Sequence, residues 1–462
     1  MAVLKTVEAI LCVGLLSIVS MSGCNGGSNA PPPNAEANGV DDANLIDSDD
    51  DGVPDVDDAF PFDPTASLDS DGDAVGDNAD TDDDDDGVLD SDDFDPLDPE
   101  VGALPTPPNP LAGELGSPIP DLSDEDADAF ESGKTVFERV FTASDGLGPL
   151  PLGDGCVSCH SDPVVGGSGG NREFLIAAGG IGGADIAITR NSPPLFGIGL
   201  FELVTDAEIL SREDAADSDG DGISGRANLE LDRVGRFGRK AQAASLESIA
   251  RGMLANQMGI TSDPLGDAQA SVESNKPSLL LRALHAVGSI SLASPAYAQV
   301  QPPPPDEPSG DDAVPDPEIN EDDLRALIAF LTTLAAPLRG SIDLGVQRGE
   351  ELFGSIGCAA CHVPTITLST AAMIHPYTDL LVHDMGPDLA DGVVREIATG
   401  SEFRTQPLWG LGAAGAYLHD GRAVTIEAAI REHGGEADGS RDRFEDLDDA
   451  ERTDLLWFLE SL

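Results

Sequence analysis

Basic residues are scarce in this chain. Its 462 residues hold 24 Lys and Arg against 86 Asp and Glu, a formal net charge of -62. A surface of that sign repels phosphate backbones and argues against a nucleic-acid partner. Much of the excess lies before residue 100, so it belongs partly to a tail. Aromatic residues make up only 4%, which leaves little ring area to fill cores, and an apolar cofactor would supply part of the missing volume. The apolar run at 9–19 is well short of the ~20 residues that a membrane-spanning helix needs. Cysteine is limited to six positions: Cys12, Cys24, Cys156, Cys159, Cys358 and Cys361. Strand signal is sparse beside the helical periodicities, so the expected fold class is all-α.

The short apolar run follows one early lysine and ends in Met21-Ser22-Gly23-Cys24. This resembles a bacterial lipoprotein cleavage site, with 1–23 as the signal and Cys24 as the lipidated residue. Asn25 stands where inner-membrane retention favours Asp, so the expected location is extracytoplasmic, lipid-anchored at the outer membrane. Residues 24–46 are rich in Asn, Gly and Pro and read as a flexible tether.

Within 47–100 a pattern recurs three times. Aspartates stand at relative positions one, three, five, nine and twelve: Asp47, Asp49, Asp51, Asp55 and Asp58; Asp69, Asp71, Asp73, Asp77 and Asp80; Asp82, Asp84, Asp86, Asp90 and Asp93. Two of the three segments carry Gly at position six, where a calcium loop turns sharply. Hard oxygens at alternate positions suit Ca²⁺, and the array looks like thrombospondin type 3 repeats. The competing reading is an acidic disordered run. A fourth loop, DSDGDGISGRAN at 217–228, offers Asp217, Asp219 and Asp221 as calcium ligands but has Asn228 where a bidentate acid would close the site.

After a Pro-rich linker at 101–120 the composition becomes globular, with one domain expected at 121–338 and a second at 339–462. A Pro-rich insertion at about 263–316 is expected to be irregular. Leu246, Ile249, Met253 and Gln257 fall on one helical face, with Met253 read as core. Asn320 reads as the cap of a helix through Leu324, Leu327, Ile328 and Leu331, and Leu455, Leu456, Leu459 and Leu462 mark the last helix.

Cys156, Cys159 and His160 form C-x-x-C-H, and so do Cys358, Cys361 and His362. That spacing is the attachment signature of c-type haem: the thiols add to the two vinyl groups, and the adjacent imidazole coordinates iron. A thioredoxin-like pair lacks its βαβ context, and a zinc site would leave both histidines unexplained. Two covalent haems, on His160 and His362, are therefore expected. Thr425 reads as the cap of a helix that places His433 on its apolar side; His433, Met385 and Met258 are candidates for a sixth ligand.

RNSPPLFGIGLFE at 190–202, NQMGITS at 256–262, GCAACHVP at 357–364, HPYTDLLVHDMGPDLADG at 375–392, FRTQPLWGLG at 403–412 and YLHDGRAVTIEAAIREHGGE at 417–436 together resemble the bacterial di-haem oxidoreductase family, grouped with di-haem cytochrome c peroxidases and MauG. The resemblance covers roughly 125–462 and leaves out the acidic repeats. It implies two cytochrome c-like domains with one haem each, and electrons relayed from the C-terminal haem to a peroxide-binding N-terminal haem. At the relay haem His433 takes the place of the peroxidases' Met and of MauG's Tyr, giving a bis-histidine iron. Gln257 stands before Met258 where the peroxidases carry a catalytic Glu, and an amide cannot exchange a proton at neutral pH. The implied partners are a redox protein or quinol-linked donor, and hydrogen peroxide or a small redox substrate. The other reading is an envelope electron-transfer cytochrome without a substrate of its own.

Overall fold

The computed structural model describes residues 46–85, 89–90, 96–97, 99, 106–148, 151–177, 185–263 and 314–462. The chain divides into two compact units, Met1–Asp69 and Ser70–Leu462. In the first unit the described residues form one acidic loop. Gly52 takes φ +101° at its sixth position and donates its N–H to Asp47 at 3.0 Å, while Ser48 donates twice to the Asp55 carboxylate at 2.8 Å.

The second unit is built on helices whose starts are written in the sequence. α1 (Asp124–Phe137), α2 (Leu246–Met253), α3 (Glu321–Thr333), α4 (Leu344–Ser355), α5 (Ile426–Arg431) and α6 (Asp449–Ser461) are capped by Ser123, Ser245, Asn320, Asp343, Thr425 and Asp448. Each cap's side-chain oxygen accepts a first-turn N–H that no helical carbonyl can reach.

Two helix crossings share one design. α1 meets α3 at Gly133, where a Cβ would stand 2.0 Å from the Ala326 carbonyl oxygen. α4 meets α6 at Gly349, where a Cβ would stand 2.2 Å from the Asp454 oxygen. One turn on, Phe137 packs on Phe330 with centroids 5.0 Å apart, and Phe353 packs on Phe458 at 5.3 Å. Only a residue without a side chain lets backbones approach so closely, and the saved space is filled by rings. The apolar interior forms two main clusters: one around Phe130, Phe137, Leu200, Leu324 and Phe330, the other around Phe353, Tyr377, Phe444, Leu455 and Phe458. Leu111 and Ile119, from the Pro-rich stretch, are buried in the first.

The all-α expectation is corrected by this architecture, which is 33% helical and 11% strand. Five two-stranded ladders occur among the described residues: Ala112–Gly113 with Ala336–Pro337 (parallel), Gly169–Ala177 with Asp185–Ser192, Leu229–Glu230 with Arg233–Val234, Ile366–Thr367 with Met373–Ile374, and Val382–Asp384 with Glu402–Arg404 (all antiparallel). Four span two or three residues, too short to leave a period-two pattern; they satisfy the backbone groups of loops folded over the helices. The long hairpin did leave a signal, the alternating Ile186 and Ile188 beyond a Gly-rich stretch. Met253 is also corrected: it is 42% exposed, and the core positions of its segment are Leu246, Ala250, Leu254 and Met258.

Candidate functional site

The two C-x-x-C-H segments fold alike. Cys156–Ser158 and Cys358–Ala360 form single 3₁₀ turns, and the amides of His160 and His362 donate to the Cys156 and Cys358 carbonyls at 2.9 and 3.0 Å. The turn puts both thiols and the imidazole at one place. All four cysteines are free and half-buried. Burial pushes the Cys156 and Cys358 thiols up to about 12.

Each imidazole is held in one tautomer. His160 Nδ1 lies 3.0 Å from the Pro193 carbonyl oxygen and 3.3 Å from that of Gly167; His362 Nδ1 lies 3.0 Å from the Tyr377 carbonyl oxygen. A carbonyl only accepts, so Nδ1 carries the proton and Nε2 keeps its lone pair. Burial depresses both rings to about 4, so they are neutral at pH 7. A neutral imidazole with a bare Nε2 and an anchored Nδ1–H is the donor that a metal centre requires. Phe137 and Phe353 stand 6.4 Å from these rings at 56° and 58°. Helix crossing, phenylalanine, thiol pair and histidine thus occur twice in the same arrangement.

His433 follows α5 and donates from Nδ1 to the Ala429 carbonyl at 2.7 Å, which again leaves Nε2 bare. Burial lowers its basicity, and protonating it would further disfavour a charge on His362. His383 is excluded as a ligand, because Nε2 meets Asp379 and Nδ1 meets Glu436, each at 2.8 Å. His375 spends Nδ1 on Thr365, and His419 stacks on Phe403 at 4.2 Å. Gln257 lies in a π-helical turn, Leu254–Met258, continuing α2, and its buried side-chain oxygen has no hydrogen-bond partner.

In the first unit Asp47, Asp49 and Asp51 bring one oxygen each within 4.8 Å of one another, as Asp217, Asp219 and Asp221 do in the second. Buried oxygens of Asp47, Asp49 and Asp58 lack partners. Desolvation, then crowding by Asp51, Asp58 and Asp47, lifts the Asp49 carboxyl above the usual range. The serine bond of the first repeat recurs as Ser70 to Asp77, and Asp83 donates its N–H to Asp90, all at 2.9 Å. Asp69 ends the first unit; Asp73 donates to Asp71 at 2.9 Å, and the Asp80 carboxylate accepts from Asp82 at 3.1 Å. Asp84 is buried. Cys24, Asp86 and Asp93 lie outside the described residues, as does most of the 263–316 insertion.

Sequence reasoning missed the supports. Gly133 and Gly349 each precede their Phe by four residues ahead of a C-x-x-C-H, a G-x-x-x-F signal visible in retrospect. It also missed the arginines Arg190 and Arg239, which belong to separate stretches of chain, and left Arg404 open between a haem pocket and the domain interface.

The family described as "Di-haem oxidoreductase, putative peroxidase" matches residues 183–462, more than half of the chain, and the chain belongs to that family. The methylamine utilization protein MauG of Methylorubrum extorquens is 35% identical over 136 residues, 26% of this chain and 35% of the relative. The match therefore spans about a third of that relative's length. Among solved structures, the diheme peroxidase BthA of Burkholderia thailandensis is similar at 16% identity and TM-score 0.36, covering 78% of this chain and 94% of that one. Hydrazine synthase of Kuenenia stuttgartiensis is similar at 16% identity and TM-score 0.33, covering 78% and 98%. Membership of the family implies two haems. No helix among the described residues is long and apolar enough to cross a membrane.

Proposed function

We propose that this protein is an extracytoplasmic c-type di-haem redox enzyme. Cys156, Cys159 and His160 would hold one haem, and Cys358, Cys361, His362 and His433 would hold the other. What carries this reading is the fit of the residues: three half-buried histidines with Nδ1 anchored to a carbonyl and Nε2 bare, two of them directly beside free thiol pairs. Bound haem would supply one-electron chemistry at both sites, the C-terminal site standing as the relay and the N-terminal one as the acceptor in this reading. The protein's part is to fix the imidazoles, keep them neutral and exclude water with Phe137 and Phe353. Gln257, whose backbone carbonyl accepts from Leu152 four residues before Cys156, presents a polar but non-ionisable amide. It can orient a small oxygen ligand but cannot shuttle its proton.

That amide favours a second reading, a carrier that passes electrons to another envelope protein without a substrate of its own. Optical spectra of the ferric protein separate the two. A high-spin signal that shifts on adding cyanide or peroxide supports the enzyme, whereas two unresponsive low-spin centres support the carrier. A pyridine assay finding fewer than two haems per chain overturns both. The acidic repeats serve as a calcium-stiffened stalk, and Cys24 holds the chain at the outer membrane through lipid.

A further inference from the structure

For a chain of net charge -62, the region joining the two halves of the second unit holds the wrong sign. Arg239 donates to the Asn191 carbonyl, two residues from the Pro193 that anchors His160. Arg404 donates its backbone N–H to the Arg239 carbonyl at 2.8 Å and its Nε to Gly238 at 3.0 Å. The next residue, Thr405, accepts from Thr378, the neighbour of the Tyr377 that anchors His362. The two arginines are therefore joined through their backbones, each beside the support of one histidine.

Neither guanidinium is fully used. Arg239 Nε, Arg404 Nη1 and Arg190 Nη1 are buried without hydrogen-bond partners. The acids around them are already engaged: Asp391 with Arg190 and Lys240, Asp420, which acts on Arg239, with Arg422, and Asp379, which acts on Arg404, with His383. Burial, followed by repulsion from Arg190 and Arg404, pushes Arg239 down to about 9; burial pushes Arg404 down to about 10. Protein interiors do not leave charged donors unmet without something to meet them. The missing partner is anionic, planar enough to accept a fork of N–H groups, and reachable from both histidine sites.

We infer that Arg239 and Arg404, with Arg190 between them and the acids, form a carboxylate clamp that binds the propionates of the two haems, Arg239 serving the His160 haem and Arg404 the His362 haem. This rests on the haem assignment proposed above. A haem is apolar apart from its two propionates, so the clamp fixes which edge faces the junction. It would also place a positive charge beside each histidine site, favouring the reduced state of the haem held there.

The test is potentiometry of the haem-loaded Arg239→Gln and Arg404→Gln variants, with Arg431→Gln, an exposed ion-paired arginine on α5, as control. The ferric form of the first haem should gain about tenfold over ferrous in Arg239→Gln, and that of the second in Arg404→Gln, each shift being ~59 mV for one electron. The propionate bending band in resonance Raman should move in the same variant. Lys at either position should restore the potential in part, since it keeps the charge but not the fork. Should glutamine prevent folding, the Lys variants still carry the test through the Raman band. Unchanged potentials and bands in variants carrying two haems overturn the clamp. Absence of haem from the wild type overturns the assignment beneath it.

Discussion

Replacing Gly349 by alanine tests the packing logic of the second half. An alanine Cβ would stand 2.2 Å from the Asp454 oxygen, 2.6 Å from its carbon and 2.7 Å from Phe458 Cβ. Carbon and oxygen rest at ~3.3 Å or more, so α4 and α6 must part by about 1 Å. Such overpacking costs ~1–3 kcal/mol. The opened crossing also loosens the Phe353–Phe458 contact, worth ~0.5–1.5 kcal/mol. Against this, alanine is ~1 kcal/mol better than glycine inside a helix. The net expectation is a loss of about 2 kcal/mol. Gly354 is the internal control. It lies in the same helix with nothing within 4 Å of a built Cβ, so Gly354→Ala should gain ~0.5–1 kcal/mol. Denaturant unfolding of the haem-loaded protein, followed by far-ultraviolet circular dichroism, reads both midpoints. If Gly349→Ala unfolds at or above the midpoint of Gly354→Ala, the crossing does not depend on a bare backbone and the account is wrong.

Three further outcomes are expected. His433→Ala should turn one low-spin centre high-spin while the pyridine assay still counts two haems; an unchanged spectrum would remove His433 from the iron. Gln257→Glu should raise the rate of peroxide consumption by ~100-fold or more if the first centre lacks only a proton shuttle, and stopped-flow spectra would show no gain if it lacks more. Burial, which would raise the Glu436 carboxyl, is outweighed by hydrogen bonds from His383 and Ser224, holding it at about 2 against an ordinary 4.5. Its stabilisation is therefore full above pH 4.5 and fades as pH falls towards 2. Unfolding midpoints of wild type and Glu436→Gln should differ at neutral pH and converge in acid; a constant gap would contradict the pairing.

The sequence by itself determined whatever is local. A C-x-x-C-H segment places two thiols and an imidazole on one turn, and a Ser, Thr, Asn or Asp ahead of an apolar period starts a helix, so the grouping of thiols with a histidine and the caps at Asn320 and Thr425 were legible. The aspartate spacing likewise named the loop of Asp47, Asp49 and Asp51. Tertiary structure decided what depends on distant stretches meeting. Which histidines keep a bare Nε2 follows from carbonyls far along the chain, at Pro193 for His160 and Tyr377 for His362, and the acids that disqualify His383 include Glu436 from beyond α5. Gly133 and Gly349 look ordinary until Ala326 and Asp454 come against them. Arg239 and Arg404 become a charge pair only at the junction, because burial and like-charge repulsion are properties of assembled space and not of sequence order.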